Sequence, residues 1–115
     1  MLTKPQMLAA LDGVIAEAER LHAEFLTRML PWTPDFVVWL KATESTVEAI
    51  FGSASDALSS FKNIFFLPPP WEQGVTEIER RKAEITWFDS GRRFAHGALI
   101  GYRYSVQRLA VEEPA

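Results

Sequence analysis

Two groups of residues in this 115-residue chain have the types and spacings that chemistry requires. The first is Glu19-Arg20-Leu21-His22. A Glu-x-x-His step on a helix projects both side chains to one side, the geometry with which some helical bundles hold paired metal ions. Such a centre needs a second step and two further carboxylates facing the first. The chain has only two histidines, and Arg93 stands three residues before His96 where the second Glu would be. Glu19 and His22 are therefore candidate metal ligands without a full ligand set. His22 also falls on the apolar stripe of its helix, where a hydrogen bond to a carbonyl, or to Glu19 or Asp89, would satisfy it. The second group is Asp89, Arg92, Arg93, His96 and Arg103, with Ile100 as its single apolar member. On a helical wheel these residues fall within about 60° of one direction. An arginine beside a histidine suits metal-independent cleavage of RNA: the guanidinium holds a phosphate and the imidazole moves a proton near neutral pH. Arg92 and His96 are thus the candidate catalytic residues. The simpler account of the same stripe is a solvated or interface-lining polar face.

The Arg92–His96 pair resembles the motif of the HEPN family, small all-helical ribonucleases common in bacterial defence and toxin systems, in which an arginine precedes a histidine by a few residues. The resemblance implies an RNA or nucleotide substrate. It covers five residues here, with three between the Arg and the His. The chain has no Gly-rich phosphate loop, Ser/His/Asp arrangement, zinc spacing or calcium loop. With no cysteine it has no disulfide framework, thiolate site or cysteine nucleophile. No cofactor is expected.

The elements that must position these residues read as helices throughout. From Ile78 to Leu109 apolar residues recur at spacings of three and four: Ile78, Ile85, Phe88, Ala95, Leu99, Tyr102, Val106 and Leu109. Arg81 or Lys82, and then Arg92, fill the two skipped positions. Such a heptad seam predicts one helix of about 32 residues, about 48 Å long. A compact chain of this size has a radius of gyration near 13 Å, so a helix of that length dominates the architecture. The helix is expected to begin near Trp71–Val75 and to kink, without reversing, at Gly91.

Before it, Thr3-Lys4-Pro5-Gln6 reads as a capping box opening a helix from Lys4 to Leu30. Its inward stripe is Leu8, Leu11, Ile15, Ala18, His22, Phe25 and Met29, broadened by Val14, Leu21 and Leu26. Pro31 and Pro34 enforce a turn, and Thr33 caps the next helix with Pro34 in its first position. The seam of that helix is Leu40, Thr43, Val47, Ile50, Ala54, Ala57, Phe61 and Ile64; Gly52 marks a kink or a break within it. Pro68-Pro69-Pro70 stops any helix. The glycines of Gly97-Ala98-Leu99-Ile100-Gly101, with Ser105, form a small-residue ladder. It predicts a close crossing that receives a large side chain such as Trp39 or Phe65 from a neighbouring helix.

Composition sets the class. An apolar fraction of 48% and a charged fraction of 23% are ordinary for a globular domain, and the chain reads as one domain over 1–115. No apolar run approaches the ~20 residues that cross a bilayer, so no membrane role is expected. No export signal opens the chain, which makes the cytoplasm the default. Residues 1–78 carry five Lys/Arg against ten Asp/Glu, whereas 79–115 carry seven against five. The basic last helix is expected to dock on the acidic helices of its own bundle. A nucleic-acid face is disfavoured by the overall charge of −3.

Fourteen aromatic residues exceed what three single-striped helices bury, and Trp32, Trp39, Phe66, Trp71, Trp87 and Phe94 lie off the seams. Trp39, Phe66, Trp71, Trp87, Phe94 and Tyr102 are accordingly candidates for an interface or a pocket. The expected protein is an all-α, elongated up-down bundle of three to four long helices, with kinks or breaks near Gly52 and Gly91, completed by dimerisation. Its expected role is a non-enzymatic interaction or assembly module, a bacterial accessory protein acting as a homodimer with a possible further protein partner. The alternatives are an HEPN-like ribonuclease or nucleotide-processing enzyme centred on Arg92 and His96, and a small-molecule binder using the surplus aromatics.

Overall fold

The computed structural model describes residues 2–30, 32–64, 66 and 74–109, and among them every regular element is helical. Helix α1 spans Lys4–Arg28, α2 Pro34–Phe51, α3 Asp56–Lys62 and α4 Glu77–Gln107. The long helix has 31 residues. The chain has a radius of gyration of 16.6 Å and extents of 67 × 29 × 20 Å, elongated as the seam predicts.

Local chemistry sets the boundaries. The Thr3/Gln6 capping box opens α1 and the Thr33 hydroxyl caps α2 ahead of Pro34, both as expected. Helix α1 stops two residues early, because Met29 turns left-handed (φ 53°) and donates its N–H back to Phe25. At Gly52 the chain breaks and does not merely kink: φ is +101° and ψ 159°, a combination nearly closed to other residues. Ser55 then caps a new helix, α3, of only seven residues. Helix α4 starts at Glu77, later than its expected start near Trp71–Val75, because Thr76 and Glu79 form a second capping box there. Around Gly91 the helix continues unbroken, and that glycine is buried. Trp71, Phe65, Pro31, the triple proline and the 111–115 tail lie outside the described residues.

Helix α1 packs between α4 and α2, and α3 bridges α2 to α4. The diagonal pair α2 and α4 meets through long side chains, with the rings of Phe36 and Phe88 4.6 Å apart. The core contains Leu11, Ile15, Ala18, Leu21 and Phe25 of α1, Phe36, Trp39 and Val47 of α2, Leu58 and Phe61 of α3, and Phe88, Ala95, Leu99 and Val106 of α4. One end is aromatic: Phe25, Trp32, Phe36, Phe66 and Phe88 stack edge to face or tilted, with centroids 4.6–6.4 Å apart. The seam ends are open, with Ile78 70% and Leu109 51% exposed. Met29 and Leu26, placed on the inward stripe by spacing, are exposed, on the wall of an open groove between the end of α1 and the first half of α4.

Candidate functional site

Helices α1 and α4 run antiparallel, and polar contacts along one edge of their seam record the register. Lys4 Nζ donates to the Leu109 carbonyl at 2.8 Å, Arg103 pairs with Asp12, and His96 Nε2 lies 3.4 Å from Glu19 Oε1. Asp12 and Glu19 are seven residues apart on α1, as are Arg103 and His96 on α4, so one acidic and one basic series face each other at heptad spacing. The basic helix thus docks on an acidic neighbour of its own bundle. The Asp12 hydrogen bond holds the Arg103 guanidinium pKa above its ordinary value.

The register brings the two predicted groups together. His22 of α1 comes beside Arg92 of α4, next to Asp89, Arg93 and His96, so the candidate metal step and the candidate catalytic pair form one polar cluster. Within it the partners differ from those expected. Glu19 faces His96 and not His22. Asp89 accepts from Arg92 Nη2 at 2.8 Å and from Arg93 Nε at 3.1 Å. Arg92 fills the skipped seam position and is only 8% exposed, with its Nε unpartnered. His22 Nδ1 is likewise buried without a partner. Burial lowers the His22 pKa first, and the positive charge of Arg92 lowers it further, against a smaller opposing pull from Asp89.

In this arrangement Arg92 faces inward and His96 faces Glu19 across the seam. The Arg92 guanidinium is turned inward and bound to Asp89, and the small void beside it, about 20 Å³, has room for a single water. No group of three or more His, Asp or Glu side chains among the described residues is disposed to hold a metal. Glu19 itself is mostly exposed, 64% for the side chain.

A groove of about 380 Å³ opens where the polar edge ends, between the last turns of α1 and the first half of α4. Phe25, Leu26, Met29 and Ile85 form its apolar wall, and Asp89 and Arg93 its rim. The Asp89–Arg93 pair already spans that rim.

The aromatic candidates divide. Trp39 is buried in this chain's own core, its Nε1 donating to the Val14 carbonyl at 2.8 Å, because the separate helix α3 brings Phe61 against it. Phe66 is buried in the aromatic end. Tyr102 is half-buried, its hydroxyl donating to the Ala57 carbonyl at 3.0 Å, and burial raises its pKa. Trp87 and Phe94 remain on the surface, 39% and 67% exposed. They share the outer side of α4 with Ile100 and Tyr104, 46% and 59% exposed. Between them lie Gly97 and Gly101, both exposed, with no atom within 4 Å of where a Cβ would stand. Among the described residues the small-residue ladder therefore makes no crossing: α4 turns its Phe88–Leu99–Val106 side to the core, and the glycines lie on the other side.

Spacing alone did not mark two of these features. The Asp12–Arg103 pair needs the α1–α4 register, although the complementary charge of the two segments pointed to their docking. Tyr104 was hidden because the heptad count assigns Tyr102 to the seam and leaves its neighbour unclassified.

The chain matches no family model, no curated protein and no solved structure.

Proposed function

We propose that this protein is a non-enzymatic interaction module that acts as a homodimer. The observation that carries the reading is the apolar outer side of α4, where Trp87, Phe94, Ile100 and Tyr104 surround two open glycines. Isolated exposed apolar residues are normal, but a contiguous patch of several hundred Å² with aromatics at its centre is what interfaces use. The rival enzymatic reading draws no support from the buried, Asp89-bound Arg92. Light scattering at micromolar concentration is expected to give about twice the 13.0 kDa chain mass. A monomer mass across the concentration range would refute the reading.

A further inference from the structure

The outer side of α4 has an internal symmetry that specifies how two copies would meet. Its sequence runs Phe94-x-x-Gly97-x-x-x-Gly101-x-x-Tyr104, a pattern that repeats itself when read backwards about Leu99. Each aromatic stands three residues outside a glycine, and each glycine two residues from the centre. A two-fold contact requires a surface to be its own complement. Turning one helix end for end about Leu99 sets the two glycine floors face to face and brings each aromatic knob (Phe94, Tyr104) onto an aromatic of the other copy, outside the close approach.

We infer that two copies pack α4 against α4 in antiparallel fashion, with the two-fold axis passing between Gly97 and Gly101, at the height of Leu99. Phe94 then lies opposite Tyr104 of the partner subunit, and Gly97 opposite Gly101 of the partner subunit, so the backbones approach closely at the crossing. The inference rests on the homodimer reading above.

Charge selects the antiparallel sense. Between Ser90 and Arg108 this side of α4 carries Arg108 and no acid, while Arg93 at its edge is already paired with Asp89. A parallel crossing sets Arg108 against Arg108, a like-charge contact. About an axis at Leu99, Arg108 falls opposite Ser90 and Arg93 opposite Ser105. Arg108 is already laid over the Tyr104 ring, 5.5 Å from its centroid, which extends the aromatic knob with a cation.

The area is that of a weak dimer. An aromatic side chain carries about 150–250 Å². Trp87 stands twelve residues from Leu99, outside the contact, and the exposures of Phe94 and Tyr104 leave about 260 Å² of aromatic surface open per copy. Two copies, with Ile100, the glycine floor and the arginine stems added, reach about 800 Å², in the range of weak, transient interfaces. This arrangement also holds the two His96 side chains apart, since His96 faces α1 through Glu19.

The chain has no cysteine, so a single Ser90→Cys variant can carry one spin label per protomer. The antiparallel packing places the two labels eighteen residues apart along α4, about 27 Å, whereas a parallel packing places them within about 12 Å. Gly101→Leu fills one hollow on each copy and is expected to weaken self-association at least tenfold, while the helical spectrum is kept. A dimer with the long distance, lost in Gly101→Leu, is the expected result. A dimer with the short distance, or one whose mass is unchanged in Gly101→Leu, overturns this packing and leaves the homodimer reading standing. A wild-type monomer overturns both. Should Gly101→Leu fail to fold, the Ser90→Cys distance decides by itself.

Discussion

His22 and Arg92 hold the two unpartnered buried nitrogens of the α1–α4 seam, and their adjacency has a consequence for stability. In the folded chain protonated His22 loses solvation and meets the Arg92 guanidinium, so its pKa lies below the ordinary value of 6.5. Arg93 and His96 oppose protonation too, and Asp89 favours it. Because the folded pKa is depressed, the unfolded chain binds the proton first as pH falls. The stability held above pH 6.5 is therefore lost progressively as pH drops below it. Thermal midpoints taken from pH 7.5 to pH 5 are expected to fall, and to fall less in His22→Gln. An identical slope in that variant would show that other groups carry the acid sensitivity. Arg92 has a different cost. A guanidinium at a seam position is tolerable because Asp89 supplies a 2.8 Å partner one turn away.

Among the elements, the second helical hairpin depends on Gly52. The Leu40–Ile64 seam keeps its register across this position, so periodicity alone permits a continuous helix. What separates α2 from α3 is the backbone: φ +101° with ψ 159° at Gly52, followed by the Ser55 cap, whose hydroxyl accepts from Leu58 N–H. An L-residue at those angles costs about 1–3 kcal/mol. Gly52→Ala is expected to lower unfolding free energy by that amount in denaturant titration, although a Cβ there meets nothing within 4 Å. A neutral result would show that the chain can run on as one helix at this point. Helix α4 presents the converse case. Gly91, Gly97 and Gly101 lie inside a 31-residue helix that does not break, since packing of Phe88, Ala95, Leu99 and Val106 on α1 outweighs their poor helix propensity.

For the whole molecule, the unequal helices imply unequal local stability. The α1–α4 seam is the longest and carries both the buried Leu11, Ala95 and Leu99 and the flanking Asp12–Arg103 pair. Helix α3 has seven residues and two buried side chains, Leu58 and Phe61. Backbone amides of α3 are expected to exchange with deuterium through local opening, well before those of α4 from Phe88 to Val106, which exchange near the limit set by global unfolding. Equal protection of both segments would mean that the bundle opens as one unit. The elongated shape follows from the two longest described helices, α4 with 31 residues and α1 with 25, lying side by side.

Much of this was written in the chain. The 31-residue α4, the Thr3 and Thr33 caps, the proline at the head of α2 and most of the core stripes are local matters. Periodicity and hydrogen-bonding chemistry decide them before any two helices meet. The Thr76-x-x-Glu79 box that opens α4 was legible too, although the expected start lay earlier, near Trp71–Val75. Only the tertiary structure decided which polar residues share a neighbourhood. Glu19 meets His96, Asp12 meets Arg103, and His22 comes within the field of the Arg92 charge because α1 and α4 pack antiparallel in one register, and no spacing within either helix encodes that register. The same packing decided the surface. A helical wheel shows that Phe94, Gly97, Gly101 and Tyr104 share a side, but whether that side is covered depends on where α1, α2 and α3 lie. They cover the opposite one, because the Phe88–Leu99–Val106 stripe buries more apolar area against α1 than a face with two glycines could.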